Sequence, residues 1–153
     1  MKKSFIILGI LLLLVTGCGQ TQAEEKMVCT RTVNMNNVEM DLRYEVYYEG
    51  DNVNKVQSTE KVISDDEATL QTYQDQVESI YSNFDNVEHY NYEVSIEGDI
   101  LTSTTDIDYT KIDMDQLLEI DSSVEQLLND NGKIDLDNIT KVYEQAGATC
   151  SKE

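Results

Sequence analysis

The 153-residue chain contains no proline and only one histidine, His89. Without proline, no rigid proline-rich linker marks a boundary between domains. Because the chain has one histidine and many serines and aspartates, a Ser–His–Asp triad can be picked from it only by chance. The sequence has no glycine-rich phosphate-binding loop. His89 precedes a predicted strand, where a structural or exposed histidine is commoner than a general base. We therefore expect one domain without enzymatic activity.

Basic residues are scarce, with 11 Lys and Arg against 30 Asp and Glu. This balance argues against a nucleic-acid partner, because nucleic-acid binding depends on basic side chains that neutralise phosphates. It argues equally against adhesion to anionic lipid headgroups. High net charge serves solubility. It also suits divalent cations or basic peptides as partners.

The sequence also lacks an apolar run long enough to cross a bilayer, which takes about 20 helical residues. Its one long run is Phe5–Val15, 11 residues preceded by Lys2 and Lys3. A positive start followed by a short apolar stretch is typical of a secretory signal peptide. We therefore predict that residues 1–17 are a cleaved leader.

The end of this leader, Val15-Thr16-Gly17-Cys18, resembles the lipobox of bacterial lipoproteins. The resemblance implies that Cys18 carries a diacylglyceryl group and becomes the first residue of the mature chain. Two acyl chains give stable anchoring, whereas one does not. The alternative is an ordinary signal peptide followed by an incidental cysteine.

The predicted address is the extracytoplasmic side of the cell membrane, with Cys18 as the anchor and residues 18–26 as a flexible tether. Low arginine and proline, with abundant Asn, Lys and Asp, favours a single-membrane bacterium. Loss of Lys2 and Lys3 with the leader leaves nine basic residues against 30 acidic ones, a formal net charge of −21. The folded domain is expected over residues 27–150, with 151–153 as a tail.

Three cysteines are an odd number for an exported protein. If Cys18 carries lipid, Cys29 and Cys150 remain as a pair that can persist as a disulfide outside the cytoplasm. The alternatives are that both stay reduced and buried, or that they bind a metal without a third thiol or histidine nearby. We predict the disulfide, which would join the two ends of the domain.

The first half of the domain predicts strands. Alternation is strict over Val38–Tyr48, with apolar residues at even positions and mostly charged residues at odd ones, the pattern of a half-buried strand. A weaker alternation covers Met27–Val33. The turn sequence EGDN at 49–52 leads into a third strand over Val53–Ile63, so that three strands form a meander.

A helix is predicted next, with Ser64 and Glu67 as a capping box. Its apolar stripe recurs at spacings of three and four and is expected to lie on the sheet. The members of the stripe are Leu70, Tyr73, Val77, Ile80, Tyr81 and Phe84. Such a stripe is more often core than ligand surface.

A second hairpin follows, with Tyr90, Tyr92, Val94 and Ile96 on one face, a turn at 97–99 and a return strand over Leu101–Tyr109. The remainder predicts short helices over Ile112–Ile120 and Val124–Leu128. A last helix is expected to begin at the cap Asp135 and to stop at Gly147.

The segments MVCTRT, YYEGDNVNKVQSTEK, YNYEVSIEGDILTSTTDIDYTKID and VYEQAGATC together resemble the YehR-like bacterial lipoproteins. The resemblance covers nearly the whole mature domain. It implies an α+β fold and a lipid anchor, and it implies no activity and no functional residues. With the patterns above, we expect an antiparallel sheet in the order three strands, helix, two strands, helices, with the helices packed on one face.

Residues 127–138, LLNDNGKIDLDN, are similar to the middle of a calcium-binding EF-hand loop. With Gly132 at position six, position one is Leu127 and position twelve is Asn138, so the first carboxylate and the bidentate glutamate are missing. We interpret the segment as a polar turn. The alternative is a weak calcium site, and its candidate ligands are Asp130, Asp135 and Asp137. The acidic run 106–116 is interpreted as helix caps and solvated surface.

Three functions remain open at the level of sequence. The first is a non-enzymatic binding or envelope-assembly module for an envelope protein or peptide, without a cofactor. The second is an acidic, calcium-binding surface protein. The third is an envelope hydrolase, which would need two carboxylates converging in a cleft. We favour the first.

Overall fold

A computed structural model of the protein describes residues 24–153. The predicted signal peptide, the lipobox with Cys18 and most of the tether lie outside the described residues. No helix within residues 24–153 has the length and apolarity needed to span a membrane.

The structure is a six-stranded antiparallel sheet with a few helices, an α+β fold. The strands are β1 (Glu25–Met35), β2 (Val38–Glu49), β3 (Asn52–Ile63), β4 (Tyr90–Glu97), β5 (Ile100–Asp108) and β6 (Thr149–Lys152). The helices are α1 (Glu67–Tyr81), α2 (Met114–Ile120) and α3 (Leu136–Gln145), with 3₁₀ turns at Ser82–Phe84 and Ser122–Leu127. Across the sheet the strand order is β4-β5-β3-β2-β1-β6.

Tight turns fix the register of the β1–β2 and β4–β5 hairpins. Asn36 and Asn37 both have positive φ, at 44° and 69°, between β1 and β2. Two such residues make the turn whose twist matches that of paired strands, and asparagine tolerates the conformation. In the β4–β5 turn Gly98 alone has positive φ, at 59°, which suits the hairpin turn type that takes glycine at its first central position. Local turn chemistry therefore sets which residues of each strand share a face.

All the helices pack on one face of the sheet, which we call the inner face. Leu70 of α1 lies in a cluster with Val62 of β3, and Ile139 of α3 lies in a cluster with Val56 of the same strand. Positions 56 and 62 are an even number of residues apart on β3, so they point to the same side. The opposite side, the outer face, carries the odd-numbered residues of β2 and those of β3 from Lys55 onward, since the register shifts at Tyr47 and Tyr48.

The inner face holds two hydrophobic clusters. The larger lies under α2, the second 3₁₀ turn and α3, and its most buried members include Cys29, Val46, Tyr48 and Ile134. The smaller lies under α1 and consists of Val62, Leu70 and Leu101, with partly buried residues around them. The strip of β2 and β3 between α1 and α3 separates the two clusters.

The start of α1 differs from the predicted capping box. Asp66 is the N-cap, and its carboxylate accepts from the Ala68 N–H at 3.2 Å. The Ser64 N–H is instead bonded to the Asp99 carbonyl at 3.0 Å beside the β4–β5 turn. Because this bond continues the strand-like path of β3, the chain turns into the helix two residues later than the pattern indicates.

One member of the predicted stripe on α1 is misplaced. Ile80 is 59% exposed, whereas Leu70 is 1% exposed. At 100° per residue, Ile80 lies about 80° around the helix from Leu70, on the flank of the stripe rather than at its centre. Phe84 falls beyond α1 in the 3₁₀ turn and packs on the larger cluster. The apolar spacing in the sequence therefore overestimated both the length and the width of the α1 face that contacts the sheet.

The C-terminal region also departs from prediction. The predicted tail at 151–153 is largely strand, because β6 covers Thr149–Lys152 and pairs antiparallel with β1. The predicted helix over 124–128 is part of a 3₁₀ turn, and α2 begins at Met114 rather than at Ile112. The sixth strand closes the sheet beside the N-terminal strand of the domain.

Candidate functional site

The outer face of the sheet has no helix packed over it among residues 24–153. A shallow depression of about 580 Å³ lies on this face where β2, β3, β5 and β4 pass side by side. Its floor and walls are polar, and the residues that contribute to them include Arg43, Gln57, Thr59, Glu93 and Thr104. The depression is open to solvent, unlike the enclosed, mostly apolar pockets that hold small molecules.

A network of polar side chains crosses the outer face. Arg43 donates to Glu45 Oε1 from both Nε (3.0 Å) and Nη2 (2.7 Å). The Tyr47 hydroxyl donates to Glu45 Oε2 at 2.9 Å and lies 3.2 Å from Gln57 Oε1. Gln57 Nε2 in turn donates to Asp106 Oδ2 at 2.7 Å. The chain of contacts thus joins β2, β3 and β5 across one side of the sheet.

Hydrogen bonds favour the ionised forms of Glu45 and Lys55 on this face. The Arg43 guanidinium, followed by the Tyr47 hydroxyl, lowers the pKa of Glu45 by hydrogen bonding. Lys55 Nζ lies 2.7 Å from Asp106 Oδ2, and this hydrogen bond raises the pKa of Lys55. The side chains that form the pairs are partly exposed, so each pair orders the surface more than it stabilises the fold.

A second polar group lies on the inner face, in the strip between the two hydrophobic clusters. The Tyr44 hydroxyl donates to Glu60 Oε1 at 3.3 Å, and the Tyr44 ring stacks on Tyr143 of α3 with centroids 4.3 Å apart. Burial raises the pKa of Glu60. Burial also raises the pKa of Tyr81, to about 12, with Glu60 adding to the effect. We call Tyr44, Glu60, Tyr81 and Ser103 the inner seam.

The inner seam has one unsatisfied group. Ser103 is 1% exposed, and its hydroxyl makes no hydrogen bond in the described part of the chain. The nearby Ser103 hydroxyl opposes the rise in the pKa of Tyr81. Clusters of titratable side chains with shifted pKa values are common at functional sites. Structural hydrogen-bond and ion-pair networks show them too. Because the Tyr44 ring stacks on Tyr143 and Ser103 is almost fully buried, the seam is packed, and we regard it as structural.

The cysteines of the domain lie at one edge of the sheet. Cys29 of β1 and Cys150 of β6 face each other in the strand register and form a disulfide. Neither thiol is free for catalysis or metal binding. Cys18, the predicted lipidation site, is outside the described residues.

His89 lies apart from any cluster that resembles a catalytic centre. It is exposed, has a positive φ of 68°, and precedes β4. Its carbonyl accepts from the Asp108 N–H at 3.1 Å, so its role in the structure is to begin the β4–β5 pairing.

The calcium-like segment is a turn between the second 3₁₀ turn and α3. Asp135 is the N-cap of α3, and its Oδ1 accepts from the Asn138 N–H at 3.0 Å. Asn129 Oδ1 accepts from the N–H groups of Asn131 and Lys133. Asp130 and Asp137 are exposed. Across residues 24–153, no three His, Cys, Asp or Glu side chains come together as a metal site.

The acidic run at 106–116 has structural partners for several of its carboxylates. Asp108 accepts from Thr110 and pairs with Lys111 Nζ at 2.7 Å, and these hydrogen bonds lower the pKa of Asp108 to about 2, with that from Lys111 the largest. Asp113 is the N-cap of α2 and accepts from the Gln116 N–H. These roles match the interpretation of the run as caps and surface.

Sequence reasoning missed both the outer-face network and the inner seam. The signal for the seam was present, because Glu60 occupies an inward position between Ser58 and Val62 in the alternation of β3. The outer-face network had no signal, since it depends on β5 lying beside β3, which is not a sequence neighbour.

An antiparallel sheet with helices on one face and a polar, uncovered opposite face defines a small α+β domain. A family model described as "Protein of unknown function (DUF1307)" matches residues 29–149. The chain belongs to this family, which is the YehR-like family. No curated protein gives a significant match.

Two solved structures share the fold. The NMR structure of the E. coli YehR protein is 20% identical, with a TM-score of 0.55, over 86% of this chain and 92% of that one. The NMR structure of a protein from Streptococcus pneumoniae TIGR4 is 15% identical, with a TM-score of 0.54, over 99% of this chain and 98% of that one. At these identities the likeness shows the fold alone.

Proposed function

We propose that the protein is a non-enzymatic binding module, anchored outside the cytoplasm by a diacylglyceryl group on Cys18. The outer sheet face is its contact surface for an envelope protein or peptide. The observation that carries the proposal is that this face is left uncovered, while its side chains are ordered by the network from Arg43 to Asp106. An ordered polar face suits recognition, because less freedom is lost when a partner binds.

Support for the address comes from two separate features. The lipobox resemblance ends at Cys18, the one cysteine that is not in the disulfide. The Cys29–Cys150 disulfide is a bond that persists in oxidising compartments. Both features agree with an anchored protein on the extracytoplasmic side.

Support for binding rather than catalysis comes from the arrangement of reactive groups. Both cysteines of the domain are oxidised, and the lone histidine is exposed beside β4 rather than within the depression. Of the three carboxylates at the depression, Glu45 and Asp106 are paired with Arg43 and Lys55. Hydrogen bonding from Arg43 lowers the pKa of Glu45, whereas a general acid needs a raised pKa.

Site-specific photocrosslinking in cells that express the full chain tests this proposal. A photoreactive residue replaces Thr59 or Thr104 at the depression, and a control replaces Lys141 on the exposed side of α3. We expect discrete crosslinked species at both depression positions and none at position 141. Equal crosslinking at all three positions, or none at any, would contradict the proposed contact surface.

A further inference from the structure

The free edge of the sheet at β4 has hydrogen-bonding groups that no strand of residues 24–153 uses. β4 is the last strand in the order β4-β5-β3-β2-β1-β6, and its register with β5 runs without a bulge from Tyr90 to Glu97. Edge strands are usually protected by charged side chains (lysine above all), proline, a bulge or a covering segment. The sequence of β4, YNYEVSIE, has neither proline nor lysine, and its charged residues are Glu93 and Glu97.

The direction of the free groups follows from one hydrogen bond. The Asp108 N–H donates to the His89 carbonyl, which makes these residues a hydrogen-bonded pair. In antiparallel strands such pairs alternate with pairs whose backbone groups point away from the partner. The residues that point away from β5 are therefore Tyr90, Tyr92, Val94 and Ile96. The Tyr90 N–H bonds to the Val87 carbonyl, so the open groups belong chiefly to Tyr92, Val94 and Ile96.

Space for the side chains of an added strand exists on both faces of this edge. On the inner side, a groove of about 440 Å³ lies between α1 and β4, lined by Glu78, Ser82, Tyr92, Glu93 and Val94. On the outer side, the depression described above reaches β4 at Asn91 and Glu93. A strand places successive side chains on alternate faces. An extended segment beside β4 would thus have a place for each of its side chains.

The negative charge around this edge determines which kind of segment can bind beside β4. Residues 62–110, which contain α1, β4 and β5, include 12 Asp and Glu and no Lys or Arg. Among described residues only Asp106 and Asp108 of the twelve form ion pairs, with Lys55 and Lys111. A second copy of this chain would bring like charges together along the edge, which is unfavourable. A basic segment would be attracted to it.

We propose that the β4 edge binds an extended basic peptide segment of a partner protein by adding it to the sheet as a seventh strand. Its basic side chains alternate toward Glu93 and Glu97 on the outer face, and its apolar side chains alternate toward Val94 and Ile96 on the inner face. Backbone bonds supply affinity, and the alternate side chains supply selectivity. This inference rests on the proposed binding function. It specifies the chemistry of the partner that binds at the β4 edge, next to the contact surface on the outer face.

The test uses the full chain in nanodiscs of zwitterionic lipid, with empty nanodiscs as reference, and the capped peptide Lys-Val-Lys-Val-Lys-Val-Lys as probe. Binding is measured by calorimetry and by the amide NMR signals of β4. We expect saturable binding, with the largest changes at Tyr92, Val94 and Ile96. The matching Glu-Val peptide should not bind, and N-methylation of alternate peptide nitrogens should weaken binding at least tenfold, because it removes backbone donors and leaves the charge intact.

Two sets of variants locate the site. Val94→Pro removes an outward N–H without removing a β4–β5 bond, and should abolish binding. Lys152→Pro is its control, because the Glu153 N–H bonds to the Lys26 carbonyl and so places the Lys152 N–H outward at the opposite edge. Glu93→Gln with Glu97→Gln should weaken binding about threefold to tenfold, as exposed ion pairs are modest. Glu144→Gln on α3 should leave it unchanged.

Retained binding of the N-methylated peptide, or equal binding by Val94→Pro and the unaltered protein, would show adsorption by charge alone and overturn the inference. Absence of any binding would overturn it too. The peptide measurement and the photocrosslinking at Thr59 and Thr104 are independent tests, so either can fail without the other. Crosslinks there without peptide binding would contradict the edge site and retain the binding function, whereas loss of both would contradict the two together.

Discussion

At the scale of single residues, Glu60 is the carboxylate whose surroundings most oppose its charge. It lies on the inner face between two hydrophobic clusters, with the Tyr44 hydroxyl as its hydrogen-bond donor. Burial raises the pKa of Glu60 in the folded protein. The folded state therefore holds the proton more tightly than the unfolded state does. The contribution of Glu60 to the free energy of unfolding is greatest below its unfolded pKa and is lost as pH rises through its folded pKa.

The first prediction concerns Glu60→Gln, which removes the charge and keeps an oxygen acceptor for Tyr44. We expect the variant to be more stable than the unaltered protein at pH 7, and this advantage to shrink toward pH 3.5. Urea unfolding at both pH values measures the difference in the free energy of unfolding. Glu144→Gln, at an exposed position on α3, is the control and should show no such pH dependence. A variant that is less stable at pH 7 would contradict the burial of an ionised Glu60.

Helix caps show how far single residues can be read from sequence. Asp135 was predicted as the cap of the last helix and is its N-cap in the structure. Its bond to the Asn138 N–H is local, so a local pattern could find it. Ser64 was predicted in the same way, but its N–H is bonded to the Asp99 carbonyl across the fold. A contact between distant segments overrode an equally good local signal.

At the scale of elements, the pairing of β1 with β6 is supported by a disulfide that closes a long loop of the chain. The disulfide joins Cys29 and Cys150 across a sequence separation of 121. Met27 to Thr30 pair with the four residues of β6. A four-residue edge strand has few hydrogen bonds of its own, so the covalent link and the strand support each other.

The second prediction is that removal of this disulfide strongly destabilises the domain. In the chain-entropy model, a loop of about 100 residues contributes about 4.7 kcal/mol. We expect Cys29→Ala with Cys150→Ala to lower the free energy of urea unfolding by about 3–5 kcal/mol, and reduction of the unaltered protein to do the same. Reduction of the double variant is the control and should change nothing. A loss below about 1 kcal/mol would contradict the role assigned to the bond.

Elements with strong periodicity were predicted well, and short elements set by distant contacts were not. The alternation over Val38–Tyr48 identified β2 and its inward face, because the burial of one face dictates period two. β6 was missed because its four residues carry no period, and its position depends on β1. The order β4-β5-β3 was also unreadable, since it places sequence-distant strands side by side.

At the scale of the whole molecule, net charge is the dominant physical feature. The mature chain predicted here carries a formal net charge of −21. Self-repulsion of this size destabilises a compact state. Salt screens it, with a Debye length of about 10 Å at 0.1 M ionic strength. Acidity alone therefore makes stability depend on salt, without any specific cation site.

The third prediction separates screening from a calcium site. We expect added calcium chloride to raise the Tm of the full chain no more than sodium chloride does at equal ionic strength. The reason is that Asp135 caps α3 and that no cluster of three suitable ligands forms within residues 24–153. Thermal unfolding in the two salts measures the shift. A calcium-specific increase that Asp130→Asn with Asp137→Asn removes would instead establish the calcium site.

The central claim is that the protein is a lipid-anchored binding module, and the anchor is its most directly measurable part. Intact-mass spectrometry of the protein, purified from the membranes of the cells that make it, reads the N-terminus and its modification together. We expect a chain that begins at Cys18 and carries a diacylglyceryl group, with Cys29 and Cys150 oxidised. A chain that retains residues 1–17, or one with an unmodified thiol at position 18, would contradict it.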